Sequence, residues 1–120
     1  MKKIVAALLL TALFSVPAVG QTITGTVWQA EFDKYDAYLD FGQRTLIVWT
    51  RQKDGSCARY PSTIEWESNG ITLPESGTRW FISQTPENNL RVHFPDGRDV
   101  VYKPVRIKPS TLCMGDGEGI

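Results

Sequence analysis

The residues that could carry covalent or metal chemistry are few. Cys57 and Cys113 are the only cysteines and His93 the only histidine. Nucleophilic catalysis needs a base beside a Ser or Cys, and His93 is the one side chain whose ordinary titration lies near neutral pH. No serine or acid motif singles it out as part of a Ser-His-Asp trio. The cysteines have neither the C-x-x-C spacing of a redox pair nor the flanking histidines of a zinc site, so one structural disulfide, Cys57–Cys113, is expected. By closing a loop of about 57 residues it would contribute roughly 4 kcal/mol. Glu31, Asp33 and Asp36, and further on Asp116 and Glu118, offer oxygen ligands. They lack the ligand spacing of a twelve-residue calcium loop and read as solvated surface. With no Gly-rich phosphate loop either, the expectation is a protein that is not an enzyme and carries no cofactor and no metal.

Aromatic residues are the stronger signal. Trp66, Trp80, Phe94 and Tyr102 fall on faces that alternation assigns to a core, where each would bury much surface. Trp49 and Phe81 point away from those faces, and Trp49 shares its side of the chain with Arg51. Outward aromatics beside an arginine have the composition of a recognition patch. A sheet packed on both sides accounts for them equally well, since period-two phase cannot say which of two apolar faces is inside.

The elements that must position these groups are short strands. From Gln21 onward no helical period emerges, while apolar-polar alternations recur between turn signals. Strands are expected at Ile23 to Ala30, Tyr38 to Phe41, Thr45 to Arg51, Thr63 to Glu67, Ile71 to Leu73, Arg79 to Ser83, Leu90 to Phe94 and Arg98 to Tyr102, with a last short piece at Val105 to Lys108. Asn69-Gly70 is expected to supply the two positive-φ positions of a type I′ hairpin turn, leaving Ile64 and Trp66 facing inward. Lys103-Pro104 ends a strand or marks an edge, because proline cannot donate to a ladder. Strands in sequence order at a spacing of about ten residues predict an all-β fold, a small antiparallel up-and-down β-barrel or meander closed by one disulfide. A two-sheet β-sandwich is the alternative and would need longer connections.

The N-terminus reads as a leader. Lys2 and Lys3 precede an apolar run from Ile4 to Phe14, and Ser15-Val16-Pro17 breaks it before the small-residue site Ala18-Val19-Gly20. Residues 1–20 are therefore expected to be a signal peptide, 21–114 the barrel domain, and 115–120 a flexible glycine-rich tail. The apolar run is about half of the ~20 residues a membrane-spanning helix needs, so no membrane anchor is expected after cleavage. A disulfide and a leader together imply a periplasmic or secreted protein. The 120-residue chain holds 13 basic and 13 acidic residues. That balance argues against a nucleic-acid partner, which would require a cluster of uncompensated Lys and Arg.

Two resemblances bear on function. The opening Ile23-Thr24-Gly25-Thr26-Val27-Trp28, followed by short strands, Trp80-Phe81-Ile82, Leu90-Arg91-Val92 and a closing Tyr102, resembles small lipocalin-like (calycin) barrels, although two residues instead of one separate Gly25 from Trp28. This resemblance implies a non-enzymatic binding protein, its partner a small apolar ligand in the interior or a protein on the surface. A shorter stretch, Ser56-Cys57-Ala58-Arg59-Tyr60 with Trp66-Glu67-Ser68-Asn69-Gly70, is similar to part of the periplasmic inhibitors of C-type lysozyme. There a serine ahead of an Ala-Arg-Tyr run enters the enzyme cleft, a role that would fall here to Ser56 beside Arg59 and Tyr60. Partner-binding candidates are thus Trp49, Arg51, Ser56, Arg59, Tyr60 and Phe81.

Overall fold

The structure, a computed structural model, describes residues 23–113. The expected leader at 1–20 and tail at 115–120 lie outside the described residues. Nine strands follow one another: β1 (Val27–Glu31), β2 (Tyr35–Phe41), β3 (Thr45–Gln52), β4 (Cys57–Thr63), β5 (Glu65–Glu67), β6 (Gly70–Leu73), β7 (Thr78–Gln84), β8 (Leu90–His93) and β9 (Asp99–Val105), then a single helical turn α1 (Pro109–Leu112). Every strand pair is antiparallel, in the order β4-β3-β2-β1-β9-β8-β7-β6-β5. The ladder between β1 and β9, from Val27↔Val105 to Gln29↔Lys103, joins the first strand to the last and closes the meander into a nearly complete barrel. The expected barrel, with its single disulfide, is the observed fold; the sandwich alternative is not.

The two strands at the ends of that order explain the closure. β4 and β5 are separated only by Ile64 and run in the same direction, because each lies antiparallel to a neighbour of the same sense. The chain pairs with β3 through Thr63, then bends and pairs with β6 from Glu65. Nine segments therefore act as eight staves, the even number that lets the first and last strands meet antiparallel. Pro61 sits in β4, whose second edge has no partner, so its missing N–H costs no ladder bond. Pro104 lies inside β9, as its pairing with Trp28 shows, but beyond Tyr102, where the ladder to β8 stops. Its unpaired side is the edge that proline requires.

Alternation sorts the faces. Trp28, Ala30, Leu39, Phe41, Leu46, Ile82, Leu90, Val92 and Tyr102 point inward and are buried, with Trp66 and Trp80 packed against them. At the end of the barrel carrying the β2–β3 and β7–β8 loops, here called the lower end, Ile23, Phe41, Leu46, Ile64 and Leu90 close the interior. The Trp66 indole packs on Phe41 at 5.6 Å and donates to the Gly42 carbonyl at 3.3 Å, tying the bent strand to the β2–β3 loop.

Three expectations need correction. The β5–β6 loop is Ser68-Asn69, since Glu67 already pairs with Gly70, and neither loop residue has positive φ. Gly70 is required for a different reason: a Cβ there would lie 1.9 Å from the Trp80 carbonyl oxygen, so the close approach of β6 to β7 excludes a side chain. Val105 to Lys108 forms no further strand; β9 ends at Val105, and Pro109 begins α1, a position where the absent N–H is harmless. A strand at Cys57–Thr63, not marked as one in the sequence, forms across β3. Its alternation is weak because one of its edges and part of its inner face are open.

Candidate functional site

The upper end carries the β1–β2, β3–β4, β6–β7 and β8–β9 turns and is not filled. A cavity of about 420 Å³ lies there, within the range typical of small-molecule sites. Its walls are mostly apolar and aromatic: Phe32 and Tyr35, paired at 5.3 Å across the β1–β2 turn, Leu39 and Val48 from β2 and β3, and Trp80 against Phe94 in an edge-to-face contact at 4.7 Å. Val48 on β3 and Trp80 on β7 share this cavity although β4, β5 and β6 come between them along the chain and close the barrel on that side. The reason is that β6 ends at Leu73, so the upper part of β4 has no strand beside it. Tyr60, on the inner phase of β4 opposite Val48, is consequently 56% exposed.

Polar groups are sparse in the lining. Tyr102 points inward from β9, is only 4% exposed, and its hydroxyl has no hydrogen-bond partner among the described residues. Burial pushes its ionisation up to about 12, with Tyr35 adding to the rise and the Arg98 charge opposing it. At the rim Arg98 makes a 2.8 Å ion pair through Nε with Asp96, while its backbone N–H donates to the other Asp96 oxygen. These bonds hold the Asp96 carboxyl below its ordinary value. The guanidinium lies 4.9 Å over the Phe94 ring, so the charge pair is fixed against the cavity wall.

The residues proposed from sequence are placed elsewhere. Trp49 and Arg51 do share the outer face of β3, and Arg59 stacks over the Trp49 ring at 5.7 Å from the neighbouring strand. Trp49 Nε1 and Arg51 Nε are buried there without hydrogen-bond partners. The disulfide joins Cys57, opposite Arg51 on this same face, to Cys113 just after α1, with Cα atoms 6.0 Å apart. The C-terminal segment is thereby stapled to the outside of the barrel, on the face where Val27 and Tyr38 are also buried. Phe81 is outward too and 43% exposed, but it stands on β7 next to His93, on the far side from Trp49. Trp49 and Phe81 thus form no common patch. Ser56 is exposed in the β3–β4 turn, where its N–H and hydroxyl both donate to Asp54, at 2.9 and 2.7 Å. Arg59 and Tyr60 leave β4 on opposite faces, so the three residues of the inhibitor-like stretch do not converge.

His93 lies on the outer face of β8, opposite Asp99, with no serine or cysteine as its cross-strand partner. Glu31 and Asp36 face each other across the β1–β2 ladder, and no cluster of three or more metal-ligating side chains occurs among the described residues. Cavity residues Phe32, Tyr35 and Arg98 escaped notice in the sequence. Their signal is that aromatics at inward phase stand close to turns at one end of the chain's strands, and only the register reveals which turns share an end.

An intramolecular disulfide fits an oxidising compartment. No helix among the described residues is long and apolar enough to cross a membrane. No family model matches the chain, and no curated protein or solved structure matches it.

Proposed function

We propose that this chain is a non-enzymatic binding protein of lipocalin-like (calycin) architecture, exported to the periplasm or secreted, which takes a small apolar ligand into the upper end of its barrel. The observation that carries this reading is the aromatic-lined cavity of about 420 Å³ at the upper end of the eight-stave barrel, above a cluster of buried apolar side chains. An apolar wall that large in contact with water is costly to keep, and a ligand covering it would recover the hydrophobic free energy. Titration of ¹⁵N-labelled protein with n-butylbenzene tests it. Amide shifts should concentrate at Val48, Trp80 and Tyr102, and Val48→Trp, which fills the space, should abolish them. Absence of shifts in the wild type at saturating hydrocarbon would remove the reading.

A second reading attaches to the β3–β4 turn, where Ser56 is exposed and fixed by Asp54 beside the disulfide. Such a rigid tip could enter the cleft of a hydrolase such as C-type lysozyme. A lysozyme inhibition assay decides it: inhibition that weakens in Ser56→Ala supports the insertion, and an inert wild type ends it.

A further inference from the structure

The proposed cavity site carries chemical detail beyond being apolar. Among the described residues lining it, only Asp96 and Arg98 carry charge, and they pair with each other at 2.8 Å on the rim. A carboxylate drawn inside would lose its hydration without meeting an unpaired cation, and an ammonium would meet no unpaired anion. The interior therefore disfavours either sign of charge.

Tyr102 supplies the opposite preference. The residue is only 4% exposed, and no group among the described residues accepts its hydroxyl proton. The two residues that act on that hydroxyl electrostatically, Arg98 and Tyr35, both line the cavity, so the phenol tip opens toward the same space. Among the described residues the buried polar atoms without a partner are Trp49 Nε1 and Arg51 Nε, so the Tyr102 hydroxyl reaches the solvent of the cavity; a ligand acceptor there replaces the water's hydrogen bond, which an apolar ligand would leave unmade. The phenol stays protonated throughout the physiological range and is a donor there.

We infer that the cavity selects uncharged ligands having an apolar or aromatic body and one hydrogen-bond acceptor, such as a ketone, ester or amide carbonyl, placed to receive the Tyr102 hydroxyl. This rests on the reading that the cavity binds small molecules. The Phe94-Trp80 and Phe32-Tyr35 pairs take the body, and the Asp96–Arg98 pair caps the mouth. Tyr102 is the specificity-determining residue.

Three probes of matched shape test this: 4-phenylbutan-2-one, its hydrocarbon counterpart n-butylbenzene, and its anionic counterpart 3-phenylpropanoate. Dissociation constants are measured by NMR titration on wild type and Tyr102→Phe. Because no group among the described residues depends on the hydroxyl, the phenylalanine variant should fold with an unchanged melting curve at neutral pH. In the wild type the ketone should bind roughly three- to tenfold tighter than the hydrocarbon, and the carboxylate at least about tenfold weaker than the ketone. In Tyr102→Phe the ketone advantage should vanish while the hydrocarbon keeps its affinity within about twofold. Hydrocarbon binding with no ketone preference, or a preference untouched by Tyr102→Phe, overturns the inference and leaves the cavity site standing. Tightest binding by the carboxylate also overturns it, in favour of an anion held by Arg98. Binding of none of the three overturns the site and the inference together.

Discussion

At the lower end of the barrel Ile23, Phe41, Leu46, Ile64 and Leu90 meet with no more than 2% of any of them exposed, while at the upper end Phe32, Tyr35, Trp80 and Phe94 surround open space. Both ends are made by the same inward phase of the same strands. They differ in what lies between β3 and β6. Below, the bent strand pairs on both sides in turn and Trp66 is pulled over Phe41; above, the β6–β7 hairpin stops short and leaves the interior unfilled. An inward aromatic becomes core where neighbouring staves reach it and a cavity wall where they do not.

The largest effect should come from the filled end. Phe41→Ala is expected to cost about 3–5 kcal/mol, whereas Phe32→Ala, beside space that already exists, should cost no more than about 1–2 kcal/mol. Equal losses in chemical denaturation would erase the contrast between the ends. Reducing the Cys57–Cys113 bond should remove about 4 kcal/mol and lower the melting temperature by roughly 15–30 °C. Because Cys57 starts β4 at the upper end, hydrogen exchange should rise first in the upper part of that strand.

A smaller effect follows from Tyr102. Its folded ionisation is raised from 10.0 to about 12, so the native state binds the phenolic proton more tightly than the unfolded chain does. The associated stability is intact below pH 10 and is lost as the pH climbs through about 12, to a total of about 2–3 kcal/mol. Tyr102→Phe should flatten that part of the stability-pH profile, and an unaltered profile would place the hydroxyl in water. The least change is expected for Arg59→Ala, which removes one exposed cation–π contact with Trp49 and should cost about 0.5–1 kcal/mol while leaving the cavity's ligand affinity unchanged.

Much of the fold was legible in the chain. Val92, alternating with Arg91 and His93, and Ile64 with Trp66 declare their buried faces by period two alone. The pairing of two lone cysteines needed no geometry. Cys57–Thr63 was harder: its inner-phase residues Ala58, Tyr60 and Ser62 line a half-open strand and carry no apolar stripe. The turn at Ser68-Asn69 was displaced by one residue from expectation because Gly70 is demanded by the Trp80 carbonyl and not by a turn conformation.

The site was legible only in pieces. Trp80, Phe94 and Tyr102 were recognisable as inward, yet whether they fill a core or line a hollow depends on the length of β6, which local pattern does not measure. Trp49 and Phe81 were both outward, and only the closed order of strands separates them onto different sides. What the sequence by itself determined was the strand menu, the face each side chain takes and the covalent staple, because these follow from chirality, pleat and thiol chemistry acting over a few residues. Tertiary structure alone decided that β4 changes partner at Ile64, that apolar side chains close one end while the other stays hollow, and that the Tyr102 hydroxyl meets that hollow without a partner among the described residues. Those outcomes depend on the register of strands far apart in the chain, and register is set when the whole barrel closes.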